Sequence, residues 1–202
     1  MTEQRQFEEM AAAARETLLR RSPEEIARCC GFDWNGTEFR TESFGRPLRI
    51  TWPACTLCPP QEMWHTLLIL QYMAFADGGP LTGNDISLCE FRSGGTVRGT
   101  SFDRANDRRI AELGRCGPEQ ICAAAAALGG ERLAGKADLS FRFRLLPRYP
   151  LVLNLWLADE EFPASGKVLA DAGTQSSLSV EGAGFASELL LRRLSEGCAA
   201  QK

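Results

Sequence analysis

The chain has 202 residues, 44% hydrophobic and 24% charged, with a formal net charge of −3. That is the composition of an ordinary soluble domain, long enough to bury a core without staples, and it excludes the basic footprint of a nucleic-acid protein. No run approaches the ~18 apolar residues of a membrane span, and the eight cysteines behind a charged N-terminus, MTEQRQFEEM, imply a reducing, cytoplasmic setting of thiols or metal ligands rather than structural disulfides.

Residues 2–21 place Phe7, Met10, Ala11, Ala14, Leu18 and Arg21 at three-four spacing, which predicts an amphipathic helix. Ser22-Pro23-Glu24-Glu25 supplies an N-cap, a proline in the first turn and two acids for a short second helix that stops at Gly31. Residues 37–44 and 46–52, joined by Gly45, predict a hairpin that Pro53 ends. After the turn-rich ACTLCPP comes a helix over residues 61–76, apolar on almost every side and therefore central to a core. A loop at Leu81-Thr82-Gly83-Asn84 leads to an expected strand over residues 85–91, a helix over 102–113, and another through the alanines of 123–127. Residues 139–145 alternate with Arg142 and Arg144 on one face, so that face meets solvent or acids.

The chain is organised around residues 145–163, LLPRYPLVLNLWLADEEFP. Leu151, Leu153, Leu155 and Leu157 fall on one side of this strand, and Val152, Asn154 and Trp156 on the other. Both sides are mostly apolar, which predicts a central strand covered on both faces, with Trp64, Leu67, Leu68, Leu153, Leu155 and Trp156 buried together. A short strand over 167–170 and a helix over 184–194 close the chain. The expected fold is a single α+β domain over residues 1–202, with helices in 1–30 and sheet plus covering helices in 35–200. Its mainly antiparallel sheet has about five to six strands, with a central apolar helix and flanking helices.

The stretches GGPLTGNDISLCEFRSGG and LGGERLAGKADLSFRFRLLPRYPLVLNLWLADEEFPASGKVLADAG carry a resemblance. Together with the apolar helix, the Gly-Pro-Leu-Thr-Gly loop, the Leu-Pro-Arg-x-Pro strand and Asp-Glu-Glu-Phe-Pro resemble a domain-of-unknown-function family of mainly anaerobic bacteria and archaea. The resemblance covers roughly residues 15–195, and Asp-Glu-Glu-Phe-Pro is its most specific block. Some members resemble proteins with an iron–sulfur domain of the kind found in corrinoid methyl-transfer systems. The chain departs from the pattern in two places, with Leu169-Ala170-Asp171 for Leu-Phe-Asp, and Gln71 before Tyr72 where relatives carry a histidine. No appended iron–sulfur domain is matched. The resemblance implies an anaerobic setting, a corrinoid or other tetrapyrrole as ligand, and a corrinoid or iron–sulfur protein as partner.

Several groups are candidates for chemistry. Asp159 and Glu160, with Glu161 beside them and Asp171 at the end of the next strand, could hold a divalent metal or divide acid and base roles, since neighbouring carboxylates push one pKa up. Equally, they could pair with Arg142, Arg144 or Arg148 and shape a turn. Cys55-x2-Cys58 could chelate zinc or an iron–sulfur cluster if Cys29, Cys30, Cys89 or His65 completed the set. Small buried thiols are the plainer reading. His65, the single histidine, is expected to be hydrogen-bonded at the core edge, with Gln61 and Glu62 in helical reach. Thr82 and Asn84 lie on a loop that could line a pocket with Arg148 and the carboxylates. The leading reading is a ligand-binding or accessory protein taking a small molecule. The alternatives are a metal-dependent enzyme built on Asp159, Glu160 and Asp171, and a structural protein-interaction module.

Overall fold

Residues 3–135 and 137–201 are described by a computed structural model, and local start and stop signals place its early elements. Helix α1 (Glu3–Leu18) buries Ala11, Ala14 and Leu18; the expected helix start at residue 2 lies outside the described residues. Helix α2 (Pro23–Cys30) is capped as the sequence predicts, the Ser22 hydroxyl accepting from the Glu25 N–H at 3.2 Å.

The strands divide into two antiparallel sheets rather than one. The first has the order β1-β2-β3-β4, from Asp33–Trp34, Glu38–Ser43, Arg46–Thr51 and Leu57–Cys58. Its central hairpin turns on Phe44 and Gly45, both left-handed (φ 49° and 68°), the two-residue turn whose twist matches its strands. Phe44 holds that conformation because its ring is buried and its N–H donates to the Arg144 carbonyl at 2.8 Å, joining the two sheets.

The second sheet has the order β5-β9-β8-β7-β6, from Asp85–Ile86, Ser165–Asp171, Tyr149–Trp156, Leu139–Leu146 and Glu131–Arg132. Strand β8 is central, and Leu151, Leu153 and Leu155 are fully buried. Gly166, opposite Leu155 on β9, lies under Ile110 of helix α4 (Thr100–Leu113). The other face carries buried Val152 and half-buried Asn154, and Trp156 is 40% exposed. Cover on both faces therefore fails toward the end of the strand.

Helix α3 (Met63–Phe75) buries Leu67 through Leu70, packing against α1 on one side and helix α6 (Val180–Ala199) on another. That enclosure is why it is apolar all round. Trp64 is half-buried, stacked on Phe185 at 4.9 Å. Helix α5 (Pro118–Ala127) sets buried Ala124 and Ala125 into the same core.

Two elements differ from expectation. After Ile86 the strand gives way to a 3-10 turn (Leu88–Glu90), because Glu90 accepts from both the N–H and the hydroxyl of Ser87 (2.8 and 2.5 Å). This capping box diverts the backbone from the ladder. Helix α6 begins at Val180, four residues before Gly184, since its glycines are packing residues rather than breakers: a Cβ at Gly184 would lie 2.4 Å from the Phe102 ring. Among the described residues no helix is long and apolar enough to cross a membrane.

Candidate functional site

The carboxylates expected to form one group stand at opposite ends of two paired strands. Trp156 pairs with Ser165 and Leu151 with Ala170, so the chain leaves β8, turns through Asp159 and Glu160, and reaches Asp171 only after the full length of β9. At ~3.3 Å per residue that separation is about 20 Å, too far for Asp159, Glu160 and Asp171 to share a divalent ion. Asp159 closes its own turn, accepting from the N–H groups of Phe162 (2.7 Å) and Glu161 (2.9 Å). These two bonds hold its carboxyl below the usual range. Glu160 and Glu161 are exposed. Among the described residues, no ion pair joins these acids to Arg142, Arg144 or Arg148, which corrects the pairing anticipated from the sequence.

Asp171 has a different environment. It is 2% exposed, and accepts from the Thr82 N–H (2.9 Å), the Thr82 hydroxyl (3.0 Å), the Gly173 N–H (2.7 Å) and the Gly83 N–H (2.7 Å). Burial pushes its carboxyl up, but the donors of Thr82, Gly173 and Gly83 outweigh it and the net shift is downward. Arg148 donates to the Gly78 carbonyl at 2.9 Å, and the Ala172 N–H to the Asn84 carbonyl at 2.8 Å. Four residues expected to contact ligand, Asp171, Thr82, Asn84 and Arg148, are thus brought together. They serve as a clasp that fixes residues 77–84.

The clasped loop forms one wall of a cleft of about 550 Å³ through Asp77 and Thr82. The opposite wall carries Arg92 and Arg98, the latter in a single π-helical turn (Gly95–Gly99) that runs into α4. Such turns recur at functional sites. Gln175 and the start of α6 at Ser179 complete the lining. Most polar groups here have internal partners. The Gln175 amide oxygen accepts from the Arg92 N–H (2.7 Å), the Ser179 hydroxyl caps α6 at Gly182 (3.3 Å), and Arg98 pairs with Glu181. The Gly79 N–H donates to Asp77 at 2.8 Å and holds that carboxyl below its usual range. Among the described residues the Arg92 guanidinium has no ion-pair or hydrogen-bond partner and is exposed. Neither arginine was singled out from the sequence. The available signal was Ser179 followed by Glu181, an N-cap with an acid in the first turn, obscured by the glycines after it.

The metal and cofactor donors do not assemble. Cys58 is exposed on β4 with its sulfur 3.2 Å from an Arg49 nitrogen, while Cys55 is buried beside the Pro53 carbonyl. On α2, the Cys30 thiol faces the Tyr72 carbonyl, and Cys29 lies against Gly78. Burial pushes the Cys30 thiol up to about 12 and raises Cys55 as well. Among the described residues, no three His, Cys, Asp or Glu side chains stand close enough to hold a metal ion. The set Cys55, Cys58, Cys29 and Cys30 therefore does not fit zinc or an iron–sulfur cluster.

His65 offers no axial position to a tetrapyrrole either. It is 1% exposed, its Nδ1 lies 3.0 Å from an Arg193 nitrogen, and its Nε2 lies 2.8 Å from the Ser43 hydroxyl. A guanidinium only donates, so Nδ1 accepts and Nε2 carries the proton. Ser43 in turn donates to the Leu145 carbonyl at 2.6 Å. This direction is opposite to a serine activated by histidine. Burial, then Arg193 and Arg192, pull the imidazole down to about 3, so it is neutral. Its partners come from β2 and α6 rather than from Gln61 or Glu62.

A family model described as a domain of unknown function (DUF3786) matches residues 22–193, from α2 through most of α6. No curated protein and no solved structure matches the chain significantly.

Proposed function

The chain belongs to the domain-of-unknown-function family DUF3786, and on that premise we propose that it is a ligand-binding accessory protein whose ligand is a small molecule bearing a carboxylate or phosphate. The observation that carries this reading is the Asp171 clasp. One buried carboxylate, through three hydrogen bonds from Thr82 and Gly83, fixes a loop distant in sequence as the wall of a cleft that Arg92 enters without an acidic partner among the described residues. The cleft falls within the ~300–1,000 Å³ of small-molecule sites, and an unpaired guanidinium on a rigid wall suits an oxyanion. The start of α6 adds a weaker attraction of the same sign. The resemblance to proteins of anaerobes supports an anaerobic metabolism as the setting. In it, corrinoid or iron–sulfur proteins would be partners of this chain, since its own thiols and imidazole do not form a site for such groups.

Thermal-shift titration of the whole chain with pyrophosphate and citrate tests the reading. A ligand of this cleft raises the melting temperature in a saturable way, and Arg92→Ala reduces that response without lowering the ligand-free melting temperature. A response untouched by Arg92→Ala would place the ligand elsewhere and remove the proposal.

A further inference from the structure

A second, smaller cavity of about 280 Å³ lies between the β2–β3 hairpin, residues 59–61 and α6, and shares no lining residue with the Asp171 cleft. Its walls include Ser43, Arg46, Pro59, Pro60, Gln61 and Arg193. The volume is several times the ~30 Å³ share of a water molecule, and the two prolines make one wall rigid.

The charges around it are unbalanced. The Arg46 guanidinium is exposed and has no ion-pair or hydrogen-bond partner among the described residues. Arg193 is half-buried, with its guanidinium 5.4 Å above the Phe44 ring and one nitrogen donating to His65. Glu62 is bound closely by Arg192 and reaches Arg193 only at 3.7 Å. The adjoining open cleft gathers Arg46, Arg192 and Arg193 against Glu62 and Glu196, three cations against two anions. Burial makes the Arg193 charge costly, and although Glu62 and Glu196 offset part of this, Arg46 and Arg192 add like-charge repulsion. Like charges converging on a confined space are relieved by an anion between them, and guanidinium forks match tetrahedral oxyanions. Gln61 contributes an amide, one of whose N–H groups already donates to the Pro59 carbonyl at 3.0 Å.

We propose that this cavity is an oxyanion site that holds phosphate, free or as the head of a phosphomonoester, between Arg46 and Arg193. Occupancy is transmitted to His65, because the guanidinium that meets the anion also donates to Nδ1.

The test uses the whole chain, titrated with inorganic phosphate at constant ionic strength against chloride, following the melting temperature and the imidazole NMR signals. His65 is the only histidine, so its signals need no assignment. The expected result is a saturable rise in melting temperature with a parallel shift of the His65 resonances. Arg46→Ala, an exposed position outside the core, weakens the phosphate dependence of the His65 shift about tenfold, the loss of one charge-assisted contact, while Arg92→Ala leaves that shift unchanged. Glycerol phosphate that binds more tightly than phosphate identifies an esterified head group, and weaker binding identifies the free ion. Absence of a saturable response, or wild-type affinity in Arg46→Ala, overturns the site. A phosphate response lost in Arg92→Ala but kept in Arg46→Ala also overturns it, and leaves the Asp171 cleft as the binding place.

Discussion

Asp171 and Asp159 stand at the two ends of one strand pair, both accept backbone N–H groups, and both have carboxyls held below the usual range. Asp159 bonds residues two and three positions away and remains exposed. Asp171 bonds residues 88 and 89 positions away, along with Gly173, and is buried. The first organises only its own turn. The second closes a long segment of chain onto the sheet, offsetting loop-ordering entropy with charge-assisted bonds. Three adjacent acids make the conspicuous pattern, yet the single acid that ends β9 positions the cleft wall. Local charge density says less about tertiary architecture than the sequence distance over which a charge is satisfied.

Both aspartates are carried by the β8–β9 strand pair, and breaking that frame has the largest expected effect. Leu153 is fully buried on the central strand, so Leu153→Ala should cost roughly 2–5 kcal/mol in denaturant unfolding. A cost below about 0.5 kcal/mol would mean that β8 is not the core strand. Asp171→Ala comes next. It removes four bonds, and a loss of roughly 2–4 kcal/mol is expected, with faster hydrogen exchange at Thr82 and Gly83. Wild-type protection at those two amides would show that the loop needs no clasp.

Acid titration sharpens the contrast further. His65 sits at about 3 when folded against 6.5 unfolded, so between these values the unfolded chain binds a proton that the native chain does not. Stability from this group is complete above the unfolded value and falls as pH drops toward 3, by up to about 1.4 kcal/mol per pH unit. Asp171 is also depressed, so its contribution is lost only below the ordinary carboxylate range of ~4. Loss of stability between pH 6.5 and 4 should therefore vanish in His65→Gln and persist in Asp171→Ala. The reverse outcome would reassign the acid-sensitive group. The smallest effect belongs to Asp159→Asn, whose denaturation midpoint should stay close to wild type, since its bonds stay within one exposed turn. A pronounced drop there would erase the distinction between the two aspartates.

Much of the fold was legible because its signals are local. Ser22, Pro23 and Gly31 bound α2, Gly45 marks the hairpin, and the alternation of residues 151–155 marks the central strand. Periodicity and caps act within a few residues, so they survive without tertiary context. The short strands β1, β4 and β6 have only two residues each and leave no period to read.

What the sequence by itself determined is the α+β class, the apolar centre of α3 and the capped ends of α2. Which carboxylate is clasped and which is free, where Trp156 points, why Gly184 sits inside a helix, and which partners hold His65 were decided only by the tertiary structure. Each of those depends on groups brought close by folding. Asp171 meets Thr82, Gly184 meets Phe102, and His65 meets Ser43 and Arg193. Hydrogen bonds, burial and close packing all act through space at a few ångströms, so no pattern along the chain encodes them until the sheets and helices have set those distances.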